Sequence, residues 1–74
     1  MRFTRITVQP TVCTGKACIR DLRFPVSRLL GLLAARETPE AILAAYPYLE
    51  RADIDEALHY AVCLAEDEPV ELGP

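Results

Sequence analysis

Gly15-Lys16-Ala17-Cys18-Ile19-Arg20-Asp21-Leu22-Arg23-Phe24-Pro25-Val26 is the stretch on which the fold turns. It opens with a glycine that permits a turn and closes with a proline whose fixed φ suits the start of a helix. The segment between them reads as a short strand carrying Lys16, Arg20 and Arg23. Upstream the chain has strand character and downstream it has helix character, so this stretch is both the junction and the most basic part of the molecule.

Working upstream, Phe3 to Val8 alternates, with Ile6 and Val8 on one side and Arg5 and Thr7 on the other. That pattern predicts a half-buried strand ended by Pro10. Val12 to Lys16 then supplies a turn around Gly15, and Ala17 to Arg23 a second strand. Working downstream, the spacing predicts a helix over about 26–36, with Leu29, Leu30, Leu32 and Leu33 giving a wide apolar face. Gly31 interrupts it and suits a close helix contact. Thr38 is a good N-cap with Pro39 at the first helical position, so a second helix runs over 38–46 until Pro47 stops it. A third is expected over 51–66, with Ile54, Leu58, Ala61, Val62 and Ala65 as its core stripe. Asp55, Glu56, His59, Cys63 and Glu66 would face out. The expected fold is mainly α: a short β arm or hairpin over 3–24 and a three-helix bundle, a single domain over 1–66 with an acidic tail at 67–74 expected to be frayed.

The run, continued through Leu33-Ala34, Thr38-Pro39-Glu40-Ala41-Ile42-Leu43, Tyr46-Pro47-Tyr48-Leu49 and Asp53-Ile54-Asp55-Glu56-Ala57-Leu58-His59-Tyr60-Ala61, resembles the domain of unknown function family number 433. That family usually reads Arg-Gly-Thr-Arg where this chain has Arg20-Asp21-Leu22-Arg23, and a capping Thr or Ser where this chain has Glu50. The resemblance implies a homeodomain-like helix-turn-helix core and a VapB-like antitoxin of a type II toxin-antitoxin pair. It also implies a PIN-like ribonuclease toxin as partner.

The chain has 74 residues and 51% hydrophobic composition, enough for one small core and too apolar for disorder. Domains of this size are often stabilised by association, and a homodimer is expected through Ile6, Val8, Leu29 and Leu33. The net charge of −3 hides a division. Residues 1–36 hold seven basic side chains against Asp21 alone, a balance of +6, and residues 37–74 hold Arg51 against ten acids, a balance of −9. Such asymmetry fits a polyanion-facing end, or two halves that neutralise each other. No run is long enough for a membrane span and no signal peptide precedes the first strand, so a cytoplasmic protein is expected.

Motifs for chemistry are sparse. No phosphate-cradling glycine loop or nuclease carboxylate pattern appears, so no enzyme, catalytic residue or cofactor is expected. Three cysteines are an odd number without an export signal, which argues against a disulfide framework. Cys13 with Cys18 and His59 with Cys63 have spacings that could chelate zinc, yet the strand parity of the first pair and the outward face of the second oppose it, and no metal is expected. The start of the third helix, with Glu50, Asp53, Asp55 and Glu56, is a poor reading head for DNA. If duplex DNA is bound, the candidate residues are Arg5, Lys16, Arg20, Arg23 and Arg28, with salt bridges to the acidic half as the alternative use of these cations. Val70, Glu71 and Leu72 are the candidate partner-binding residues. The competing reading is a dimeric helix-turn-helix-derived interaction module without DNA binding.

Overall fold

A computed structural model describes residues 2–9, 12–20, 22–67, 69 and 71–72, with backbone alone at 9, 12–15, 71 and 72. The order of elements is β1 (Arg2–Phe3), β2 (Ile6–Gln9), β3 (Val12–Ile19), α1 (Val26–Ala34), α2 (Pro39–Ala45), α3 (Arg51–Ala65) and β4 (Glu71–Leu72). It is a mixed α/β fold of three helices and an antiparallel strand pair. β2 and β3 pair with Ile6 opposite Ile19, Thr7 opposite Cys18 and Val8 opposite Ala17, and the register slips between Val8 and Gln9. β1 and β4 form a separate parallel pair.

The second strand differs from expectation. It begins at Val12, includes Gly15, and ends at Ile19, so the hairpin closes between Gln9 and Val12, ahead of Gly15, and a separate turn follows around Arg20 and Arg23. Both of these take left-handed backbone, with φ of 44° and 58°. Non-glycine residues adopt that region at a cost of roughly 1–2 kcal/mol each unless other contacts over-determine it. Here the Ile19 amide donates to the Phe24 carbonyl and the Arg20 amide to the Arg5 carbonyl, locking the turn from both sides. The inner face of the hairpin carries Ile6 and Ile19, which are fully buried. Thr7 and Cys18, on the other face, are buried as well, whereas Val8 is 46% exposed where the ladder slips. Ile6 and Val8 share one side of the ladder as expected, but only Ile6 is covered there.

Pro25 leads into α1 with extended backbone. The helix ends in a Schellman motif: Arg36 donates to the Leu33 carbonyl, Glu37 to the Leu32 carbonyl, and Arg36 has φ of 69°. This is why the helix stops at Ala34 and not at the expected Arg36. Thr38 caps α2 by accepting from the Ala41 amide at 3.1 Å. Gly31 is exposed, and a Cβ placed on it would meet nothing within 4 Å, so the expected close contact is absent. Gly31→Ala should accordingly raise stability by up to about 1 kcal/mol. A thermal melt checks this: the transition should rise by about 4–8 °C per kcal/mol for a domain of this size, and no rise would mean that the glycine is needed.

α3 turns a different face to the core than its hydrophobic periodicity suggests. Asp53, Ile54, Ala57 and Cys63 are buried, whereas Leu58, Val62 and Leu64 are 44%, 56% and 54% exposed. Two contacts set this rotation. Asp53 is drawn inward by arginines, and the Phe3 ring lies edge-on to Tyr60 with centroids 5.4 Å apart. The second contact covers the flank of the helix that bears Glu56 and, two turns on, Cys63. Leu29 and Ile42 from the other helices complete the core with Phe24, Val26 and Leu49.

Candidate functional site

The most organised polar cluster joins the hairpin to α3. The Arg20 Nε and Nη2 donate to the two carboxylate oxygens of Asp53 at 2.9 and 2.8 Å, a bidentate pair. Arg20 Nη2 also donates to the Tyr48 carbonyl at 3.0 Å. Arg5 Nη1 donates to Glu50 at 2.6 Å and to Asp53 at 3.1 Å, and the Arg5 backbone amide donates to Glu56 at 2.8 Å. Asp53 in turn accepts from the Glu50 amide at 2.8 Å, closing the first turn of α3. Glu50 thus occupies the N-cap position, and Asp53, at the third helical residue, supplies the capping interaction from within.

The Asp53 side chain has no exposure to solvent. Burial by itself would push its carboxyl pKa up, but hydrogen bonds from Arg20, the Glu50 amide and Arg5 together prevail and hold it below the usual aspartate value. Hydrogen bonding to Glu50, then to Asp53, raises the Arg5 guanidinium pKa, and hydrogen bonding to Asp53 raises that of Arg20. Among the described residues no buried side-chain polar atom lacks a hydrogen bond. The cluster is a satisfied structural junction, and it engages two of the five cations considered for DNA.

The other three lie elsewhere. Lys16 is exposed beside a groove of about 290 Å³ that Ala17, Val26, Leu30, Tyr60 and Leu64 also line. Arg23 is exposed at the turn. Arg28 lies over two aromatic rings, its guanidinium carbon 5.5 Å from the Phe24 centroid and 5.7 Å from that of Tyr46, and donates to the Tyr46 hydroxyl at 3.3 Å. Phe24, Tyr46 and Tyr48 meet edge to face, with centroids 5.0 to 6.4 Å apart. Sequence reading turns Tyr46 toward the core, where it packs, but does not foresee the ring cluster. The signal was a Tyr-Pro-Tyr step following a helix stop, which brings two rings toward the Phe24 turn.

Of the four residues expected at a dimer interface, Ile6 and Leu29 lie fully inside the chain's own core, Leu33 is half-buried and Val8 is exposed. Val70 lies outside the described residues, and Glu71 and Leu72 are described by backbone only, as the strand paired with β1. That pairing replaces the frayed tail expected there. Cys18 is disulfide-bonded, against the expectation drawn from the cysteine count, and Cys63 is buried without a disulfide. His59 is exposed, so it and Cys63 face different surroundings. Among the described residues no three His, Cys, Asp or Glu side chains converge to hold a metal ion, and no helix is long and apolar enough to cross a membrane.

The fold is similar to that of a crystallised DUF433 member protein from Anabaena variabilis ATCC 29413. The TM-score is 0.79 at 34% identity, over 86% of this chain and 63% of that one. This chain therefore spans under two thirds of that protein's length. No curated protein matches it. The family model described as "Protein of unknown function (DUF433)" matches residues 6–61. With three quarters of its length inside that model and a solved member sharing its fold, the chain belongs to the DUF433 family.

Proposed function

We propose that this protein is a binding module of the antitoxin kind, which neutralises a PIN-like ribonuclease by stoichiometric association and does no chemistry itself. The observation that carries this reading is the outer face of α3. Leu58 and Val62 stand one turn apart on it, 44% and 56% exposed. An exposed apolar stripe on a well-anchored helix is the usual signature of a protein-binding surface. The three-helix order after a hairpin supports a helix-turn-helix ancestry, and a homodimer completes the reading. In this reading, promoter DNA is contacted by Lys16, Arg23 and Arg28, because Arg5 and Arg20 are held by Asp53.

A second reading, an interaction module without DNA binding, draws support from that same engagement of Arg5 and Arg20. The two readings part on salt-dependent binding to duplex DNA, since each phosphate contact steepens the salt dependence.

The first test is recovery of the tagged protein from its host with its partners identified by mass spectrometry, alongside Val62→Glu. A small nuclease is expected near one-to-one with the wild type, and the variant should lose it. Because residue 62 is exposed, the variant's own stability should stay within about 0.5 kcal/mol of wild type. Equal recovery by both proteins, or no nuclease with either, would sink the proposal.

A further inference from the structure

We propose that the Phe24–Tyr46–Tyr48 cluster with Arg28 and Arg23 is a binding platform for unpaired nucleotides, on which a base stacks against Tyr48 while the arginines hold the adjoining phosphates. The inference does not depend on the antitoxin reading. Tyr48 is 51% exposed, the largest side chain among the strongly exposed apolar residues. Its ring is held from behind by Phe24 and Tyr46 at 6.4 and 6.2 Å, and its backbone carbonyl accepts from Arg20. An exposed ring fixed at its base loses little rotamer freedom on stacking, which favours binding.

The cations are suitably placed. Arg28 lies over the rings of Phe24 and Tyr46, so its π face is taken, but the donors of a guanidinium radiate in its plane. One of them reaches the Tyr46 hydroxyl, and among the described residues no carboxylate pairs with Arg28. Arg23, adjacent in sequence to Phe24, is exposed and has left-handed backbone. Arg20 is neutralised by Asp53 and serves here to fix the Tyr48 backbone through its carbonyl. Aromatic faces interleaved with arginines are the recognition chemistry of single strands, whose bases are available to stack. A duplex hides those faces.

The experiment is fluorescence anisotropy with short labelled oligouridylate and oligothymidylate and a duplex of equal length, titrated with the full chain. Wild type should bind the single strands more tightly than the duplex. Tyr48→Ala should weaken single-strand binding on the order of tenfold, with Tyr48→Phe close to wild type. Arg23→Gln and Arg28→Gln should each lower the slope of log affinity against log salt by about 0.7. Thermal melts accompany each variant, and since Tyr48 gives Arg20 only its backbone carbonyl, Tyr48→Ala should remain folded. The proposal is overturned by a duplex bound as tightly as single strands, or by Tyr48→Ala at wild-type affinity. It is equally overturned if neither oligonucleotide binds, including the case where Tyr48→Ala instead abolishes association with a protein partner.

Discussion

Asp53→Ala is expected to lower the stability of the domain by about 3 kcal/mol, the lower end of the range for breaking a buried ion pair. The carboxylate has no solvent exposure and accepts from two guanidinium groups and one backbone amide. Its removal leaves Arg20 without a carboxylate partner, Arg5 with Glu50 alone, and the Glu50 amide without its acceptor. The arginines are about 30% exposed and can swing partly into water, which keeps the loss from the upper end. A chain of this length has roughly 4–11 kcal/mol in all, so the variant should be close to unfolded at moderate temperature. Urea denaturation checks it, and a loss under about 1 kcal/mol would mean that the junction is ornamental. A double-mutant cycle with Arg20→Ala should show non-additivity of about 1 kcal/mol or more.

The same group sets an acid limit. Because the carboxyl of Asp53 is held below its unfolded value of about 3.9, the stability that it contributes is complete above that pH. It is lost as pH falls from there through the lower folded-state value. Wild type should therefore lose stability in acid with a component that Asp53→Asn lacks. Parallel curves for the two proteins below pH 5 would contradict this.

Phe3→Ala should cost about 3–5 kcal/mol, the range for deleting a buried aromatic ring. Phe3 has no solvent exposure, meets Tyr60 edge to face, and belongs to the strand that pairs with β4. Its loss opens the flank of α3 where Cys63 is buried and removes the reason for the helix to keep its present rotation. Reactivity of the Cys63 thiol is a convenient second readout: it should rise in Phe3→Ala. A variant with wild-type melting and a protected thiol would show that other contacts hold α3.

The helices were legible because their ends are written locally. Pro25, Thr38-Pro39 and Pro47 each act within a few residues of themselves, and the observed bounds lie within two residues of those expected. The hairpin was misplaced because it closes between Gln9 and Val12, whereas Gly15, the residue that advertises a turn, lies in a strand, and the turn after that strand is made by arginines in left-handed backbone. The face of α3 was misread for a related reason. Its rotation answers to Arg5, Arg20 and Phe3, which are remote in sequence, and they bury an aspartate while leaving a leucine and a valine outside. Hydrophobic periodicity sees only the helix's own residues. For the five cations, salt bridging to the acidic half was one of the two uses the sequence allowed, but the carboxylate that engages Arg5 and Arg20 can be identified only in three dimensions.

The parallel pairing of Arg2–Phe3 with Glu71–Leu72 joins residues nearly a full chain length apart. The entropy of closing so long a loop must be met before those few hydrogen bonds form, whereas each helix and the β2–β3 ladder close over short spans. This pairing should therefore be the last to zip during folding and the first to open in the native state. Amide exchange in β1 and β4 should report local opening far faster than the global unfolding that releases α3.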